Sequence, residues 1–174
     1  MTTVPKEIFK AYDIRGIVDK TLTDEIVEAI GHAIGSEAVA RKQSAIAIGR
    51  DGRLSGPAFA KALARGIQKS GIDVIDVGRV ATPMTYFAAF QLQTDCAVMI
   101  TGSHNPPDYN GLKMVLAGET IHGETIQALY HDIAAHDGAP VAHPGSYATH
   151  DIRAQYLERI IGDVKVARPM KIAV

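Results

Sequence analysis

The stretch Thr101-Gly102-Ser103-His104-Asn105-Pro106-Pro107-Asp108-Tyr109-Asn110-Gly111-Leu112-Lys113 concentrates the reactive side chains of this 174-residue sequence. Ser103 offers a hydroxyl just past the apolar run Cys96 to Ile100, which has the length of a buried strand. His104 beside it can donate a hydrogen bond or move a proton near neutral pH. Gly102 lets backbone amides approach an anion closely. The two prolines fix the path, and the Asn-Pro and Asn-Gly dipeptides favour turns. Lys113 returns a cation toward the loop. A hydroxyl with nearby amides, an imidazole and an ammonium suits a phosphoryl group, which carries about −1.5 to −2 charge at pH 7. Composition alone leaves an ordinary loop as the alternative. A serine hydrolase is disfavoured: adjacent residues seldom orient as nucleophile and base, and there is no Gly-x-Ser-x-Gly elbow.

These residues need a scaffold, and the hydrophobic pattern supplies one. Residues 7–18 read as an extended opening segment. Thr23 is a helix N-cap with Asp24 and Glu25 in the first turn, and Ile26, Ile30, Ala33, Ile34 and Ala38 recur at helical spacing over about 23–40. Ser44 to Gly49 reads as a buried strand, followed by the loop Arg50 to Gly56. Ser55 caps the next helix with Pro57 in its first turn, and Gly71 ends it. Asp73 to Gly78 is a second strand, Thr82-Pro83 is a cap-plus-Pro start for a third helix, and Cys96 to Ile100 is a third strand. Residues 111–122 form a hairpin turning at Ala117-Gly118, 123–135 a helix, 136–149 a loop or linker, and 150–162 an amphipathic helix. Strands alternating with helices at this spacing predict an α/β fold: a mixed, largely parallel sheet flanked by helices in three layers. Ligands in such folds bind beyond the carboxyl ends of strands, where both the 50–56 and 101–113 loops emerge.

Composition narrows the function. Apolar residues make up 47% and charged residues 21%, so a real core can form. A net charge of −1 offers no broad field for nucleic acid or an anionic membrane. No apolar stretch approaches the roughly 20 residues of a membrane span. The single cysteine, Cys96, excludes an internal disulfide and reads as a buried, inert thiol in a cytoplasmic protein. His32, His122, His131, His136, His143 and His150 show no metal-ligand spacing and read as structural or solvent-exposed.

The Ser103 loop resembles the signature of the α-D-phosphohexomutases. Phe9-Lys10-Ala11-Tyr12-Asp13-Ile14-Arg15-Gly16 is similar to that family's opening motif, Gly49 to Gly56 to its second loop, and Ala81-Thr82-Pro83-Met84 to the turn before its third helix. The opening motif and the Ser-His-Asn-Pro loop favour the bacterial phosphomannomutase/phosphoglucomutase branch. The resemblance implies that Ser103 is phosphorylated in the resting enzyme and exchanges its phosphoryl group with hexose phosphates through a bisphosphorylated intermediate. It implies proton transfer by His104, charge stabilisation by Lys113, and sugar-phosphate contacts by Tyr12, Arg15 and Lys113. Arg50, Asp51 and Arg53 suit either phosphate contact or loop structure. The family's Mg²⁺ is held by an Asp-Gly-Asp-Gly-Asp-Arg run that this sequence lacks; only the phosphate on Ser103 would be a ligand here. Glucose 1,6-bisphosphate is the implied activator.

The expected organisation is a first domain over 1–148, a linking helix over 149–168, and residues 169–174 as the start of a strand of a missing second domain. The chain is therefore expected not to turn over sugar phosphates by itself, its partners being hexose phosphates and the remaining domains. A non-catalytic phosphoserine or phosphate-binding module, acting only in complex with those domains, is the competing reading.

Overall fold

The computed structural model describes residues 3–135 and 138–173; the expectations for His136 and Val174 lie outside these. A short 3₁₀ turn, Lys6–Ile8, precedes β1 (Ile14–Ile17). Then follow α1 (Asp24–Ala40), β2 (Ala45–Arg50), α2 (Gly56–Lys69), β3 (Asp73–Arg79), α3 (Thr82–Gln91) and β4 (Ala97–Ile100). The hairpin strands β5 (Tyr109–Leu116) and β6 (Glu119–Thr120), then α4 (Glu124–Ala135), β7 (Tyr147–Thr149) and α5 (Arg153–Asp163), complete the order.

The sheet runs β1-β5-β4-β2-β3-β7, with β6 against β5. β4, β2, β3 and β7 are mutually parallel; β5 is antiparallel to both β4 and β1. Alternation along the strands divides the core between the two faces. Ile46, Ile48, Val98, Ile100, Leu112 and Met114 meet the buried stripes of α1, α2 and α4 on one side. Ala47, Val77 and Ala97 pack with α3 residues Ala88 and Ala89 and with Ile152 on the other. The three-layer reading therefore holds.

Three local expectations change. Thr23 does cap α1, accepting from the Ile26 amide at 3.4 Å, but Ser55 makes no such bond to α2. Its hydroxyl instead accepts from Asn110 Nδ2 at 2.8 Å, so it ties the start of α2 to the start of β5. Thr82 is the first residue of α3 rather than its cap. Tyr147–Thr149, read as linker, is an edge strand beside β3, so the expected boundary at 148 falls inside a strand. Its anchors are two carboxylates of β3: Asp73 accepts the Ser146 amide at 2.6 Å and Asp76 the Tyr147 hydroxyl at 2.7 Å. Burial, and then the neighbouring Asp76 carboxylate, push the Tyr147 hydroxyl up to about 12. Residues 169–173 hold no regular element; the strand expected there has no neighbour to pair with among the described residues.

Cys96 is fully buried, and burial pushes its thiol above the usual range. A thiol reagent such as DTNB is expected to leave Cys96 unmodified in the native chain and to label it only after denaturant unfolds the sheet. Rapid labelling without denaturant would contradict this core assignment.

Candidate active site

The parallel register of β2 and β4 sets Arg50 opposite Ile100, so the segments that leave these strands start side by side. The Asp51 amide continues the ladder, donating to the Ile100 carbonyl at 3.0 Å. The Asp51 carboxylate then turns across: Oδ2 accepts from Thr101 Oγ1 at 2.8 Å and the Gly102 amide at 3.3 Å, and Oδ1 from the Arg53 amide at 2.9 Å. Arg53 reaches under the serine loop. Nη1 donates to the carbonyls of Pro106 and Tyr109 at 2.6 and 2.8 Å, and Nη2 to those of Asn105 and Ser103 at 2.7 and 3.2 Å. Its Nε lies 3.5 Å from Asp51 Oδ2.

This arrangement changes the reading of Gly102. Its amide is spent on Asp51, and the Ser103 amide on Thr101 Oγ1 at 2.9 Å. Neither is left over for an anion. A β-carbon on Gly102 would instead sit 2.1 Å from Arg53 Cζ, so the missing side chain makes room for the guanidinium. Ser103 itself has φ +51°, a left-handed conformation that non-glycine residues adopt at a cost of about 1–3 kcal/mol. The surrounding bonds, together with Asn105 Nδ2 donating to the Gly102 carbonyl at 2.9 Å, hold it there. The Ser103 and His104 side chains are exposed, and Ser103 Oγ lies 3.3 Å from His104 Nδ1. Ser103 faces a cleft of about 710 Å³ walled by Asn105, Pro107, Asp51 and the fully exposed Leu54.

The other predicted site residues form a second group. Asp13, only 6% exposed, accepts from Arg15 Nη2 at 2.5 Å and from Lys113 Nζ at 3.3 Å. Sequence reasoning gave Asp13 no role, although it stands two residues before Arg15; its pairing with Lys113 depends on the β1–β5 alignment. Tyr12 is 76% exposed. Among the described residues no hydrogen bond or ion pair joins Arg15 or Lys113 to Ser103. The backbone connects them: Arg15 is opposite Gly111 across β1 and β5, and the Gly111 carbonyl accepts the Thr101 amide at 2.9 Å. Two interstrand steps put Arg15 and Thr101 backbones about 10 Å apart, within reach of long side chains. A β-carbon on Gly111 would lie 2.3 Å from the Ile14 carbonyl oxygen, so only glycine allows this approach of β1 to β5.

The chain is thus an α/β domain whose loop at the carboxyl ends of the parallel strands presents an exposed serine beside an imidazole. The family model for phosphoglucomutase/phosphomannomutase, alpha/beta/alpha domain I, matches residues 6–139, and the chain belongs to this family. It is 52% identical, over its whole length, to a phosphoglucomutase of Neisseria meningitidis serogroup B, of which it covers 38%. It is 51% identical over 99% of its length to a phosphomannomutase/phosphoglucomutase of Pseudomonas aeruginosa, of which it covers 37%. A crystal structure of a family protein from Burkholderia thailandensis superposes with TM-score 0.90 at 47% identity, covering 97% of this chain and 38% of that one. A putative phosphomannomutase from Thermus thermophilus gives TM-score 0.80 at 29% identity, covering 95% and 37%. The chain thus spans little more than a third of these relatives.

Replacing Gly102 by Ala is expected to displace the Arg53 guanidinium and destabilise the chain by about 1–3 kcal/mol, read from urea unfolding. A stability equal to wild type would show that the guanidinium does not occupy that space.

Proposed function

We propose that this chain is the phosphoryl-accepting domain of an enzyme that interconverts hexose 1-phosphates and 6-phosphates of glucose or mannose. Support comes chiefly from one observation: Ser103 is an exposed hydroxyl at the tip of a loop otherwise tied down on every side. In this reading phosphoserine 103 passes its phosphoryl group to a sugar monophosphate. The bisphosphate turns over in the site, and its other phosphoryl group returns to Ser103. On the return, a bond forms between Ser103 Oγ and phosphorus while the phosphorus bond to the sugar oxygen breaks.

Phosphoryl transfer asks the protein mainly for alignment and neutralisation of charge. His104 Nδ1, 3.3 Å from Ser103 Oγ, takes the hydroxyl proton as the phosphoryl group arrives and gives it back as the group departs. Arg15 has five N–H donors and Lys113 three, and each spends one on Asp13, so both keep donors for phosphate oxygens. Tyr12, exposed nearby in sequence, is assigned to the sugar. His104 has no carboxylate partner among the described residues, which leaves a hydrolase triad without its third member.

Mg²⁺ in this enzyme class would neutralise phosphate charge. It prefers six oxygens at about 2.0–2.1 Å. Among the described residues no three acidic, histidine or cysteine side chains could hold a metal ion, and the phosphate on Ser103 would supply only one side of a shell. This segment alone does not fit the ion, so no step is routed through it. The remaining ligands, and the rest of the sugar site, are assigned to the further length that the relatives carry. No described helix is long and apolar enough to cross a membrane, and the unpaired Cys96 suits a reducing cytoplasm.

Incubating the chain with glucose 1,6-bisphosphate and Mg²⁺ is expected to add the mass of one phosphoryl group, mapped to Ser103 and absent from Ser103→Ala. No steady-state interconversion is expected. An adduct that persists in Ser103→Ala, or none in wild type, would overturn the acceptor role; turnover by the 174-residue chain would overturn its partial character.

A further inference from the structure

We infer that Arg53, braced by Asp51, is the positioning residue that sets the attack geometry of Ser103, and is not itself a phosphate ligand; this rests on the acceptor role proposed for Ser103. Arginine has five N–H donors in a planar fork. Here four of them meet the carbonyls of Ser103, Asn105, Pro106 and Tyr109, and Nε faces Asp51 Oδ2 at 3.5 Å. No Nη donor remains for a phosphate oxygen, and Nε is turned toward the Asp51 carboxylate. The side chain is also only 15% exposed, packed against the open face of Gly102 at the edge of the cleft. Its charge is balanced at once by Asp51, so it gathers the loop without projecting a free cation into the cleft.

The four carbonyls converge on one guanidinium although they belong to residues spread over 103–109, a segment with little secondary structure of its own. Asp51 adds the matching tie on the amide side, through Gly102 directly and through Thr101 Oγ1 to Ser103. Ser103 is held between these two sets, and its left-handed φ is kept by them. An ammonium cannot substitute: lysine has three donors on a single atom and cannot span carbonyls on both edges of a plane.

This predicts a specific pattern. Arg53→Lys keeps the charge and loses the fork; Arg53→Met loses both. Each is expected to lower the maximal rate of Ser103 phosphorylation from glucose 1,6-bisphosphate by roughly 10²-fold, with the half-saturating bisphosphate concentration unchanged. Amide hydrogen exchange of residues 101–109 should rise in both, with β2 and β4 still protected. Millimolar methylguanidinium should restore part of the rate to Arg53→Ala. Should the Arg53 variants not fold, Thr101→Val, which cuts the tie from Asp51 to the Ser103 amide and keeps the shape of the site, should give the same split. A lysine variant with wild-type rate and loop protection would overturn the inference, as would a loss confined to half-saturation. If the wild-type chain accepts no phosphoryl group, the acceptor role falls, and the exchange data alone decide whether Arg53 orders the loop.

Discussion

One guanidinium organises this site. Carbonyls of an irregular loop need partners when they turn away from water, and an unpaired buried polar group costs about 1–3 kcal/mol. Arg53 satisfies four of them at once, and Asp51 satisfies both the guanidinium and the loop's amides. Hydrogen bonds with a charged partner are worth about 1.5–3 kcal/mol each. That is comparable with the conformational strain at Ser103, so a left-handed serine can persist at the tip of the loop.

The fold explains why this is possible. β2 and β4 are sequence-distant but adjacent and parallel, so Asp51 and Thr101 leave the sheet beside each other. β5 then returns antiparallel through Gly111 and places Lys113 and Arg15 together on Asp13. Two charged groups result, one of them internally closed around the loop backbone. The other has donors in reserve at the sheet surface. The division suits the phosphoryl acceptor proposed at Ser103, since the residues that order its loop are kept separate from those with donors to spare.

The fold was largely legible from the sequence because its helices and strands carry strong periodic patterns. The stripe Ile26, Ile30, Ala33, Ile34 on α1 and the run Ala97–Ile100 are examples. β7 was not, because Tyr147–Thr149 is three residues long, exposed, and held by Asp73 and Asp76 from another strand. At the site, Ser103 and His104 were visible as residue types in an unusual loop. For Arg53 and Asp51 the residue types suit either phosphate contact or loop structure, and the geometry shows both bonded to the loop. Nothing in a linear sequence reveals that β2 neighbours β4, and that adjacency is what turns an Asp-Gly-Arg loop into a brace for a segment about fifty residues away. Gly102 in sequence suggests an opening for an anion, whereas the space it leaves is filled by Arg53: a glycine reports only that space is needed, not by what.

The most direct measurement is solution NMR of the Arg53 side chain, labelled with ¹⁵N and with ¹³C in the loop carbonyls. The account predicts individually resolved, slowly exchanging Nη protons with through-hydrogen-bond couplings to the carbonyls of Asn105, Pro106 and Tyr109. A single averaged Nη signal in fast exchange with water would mean that the guanidinium is free, and that something else orders the serine loop.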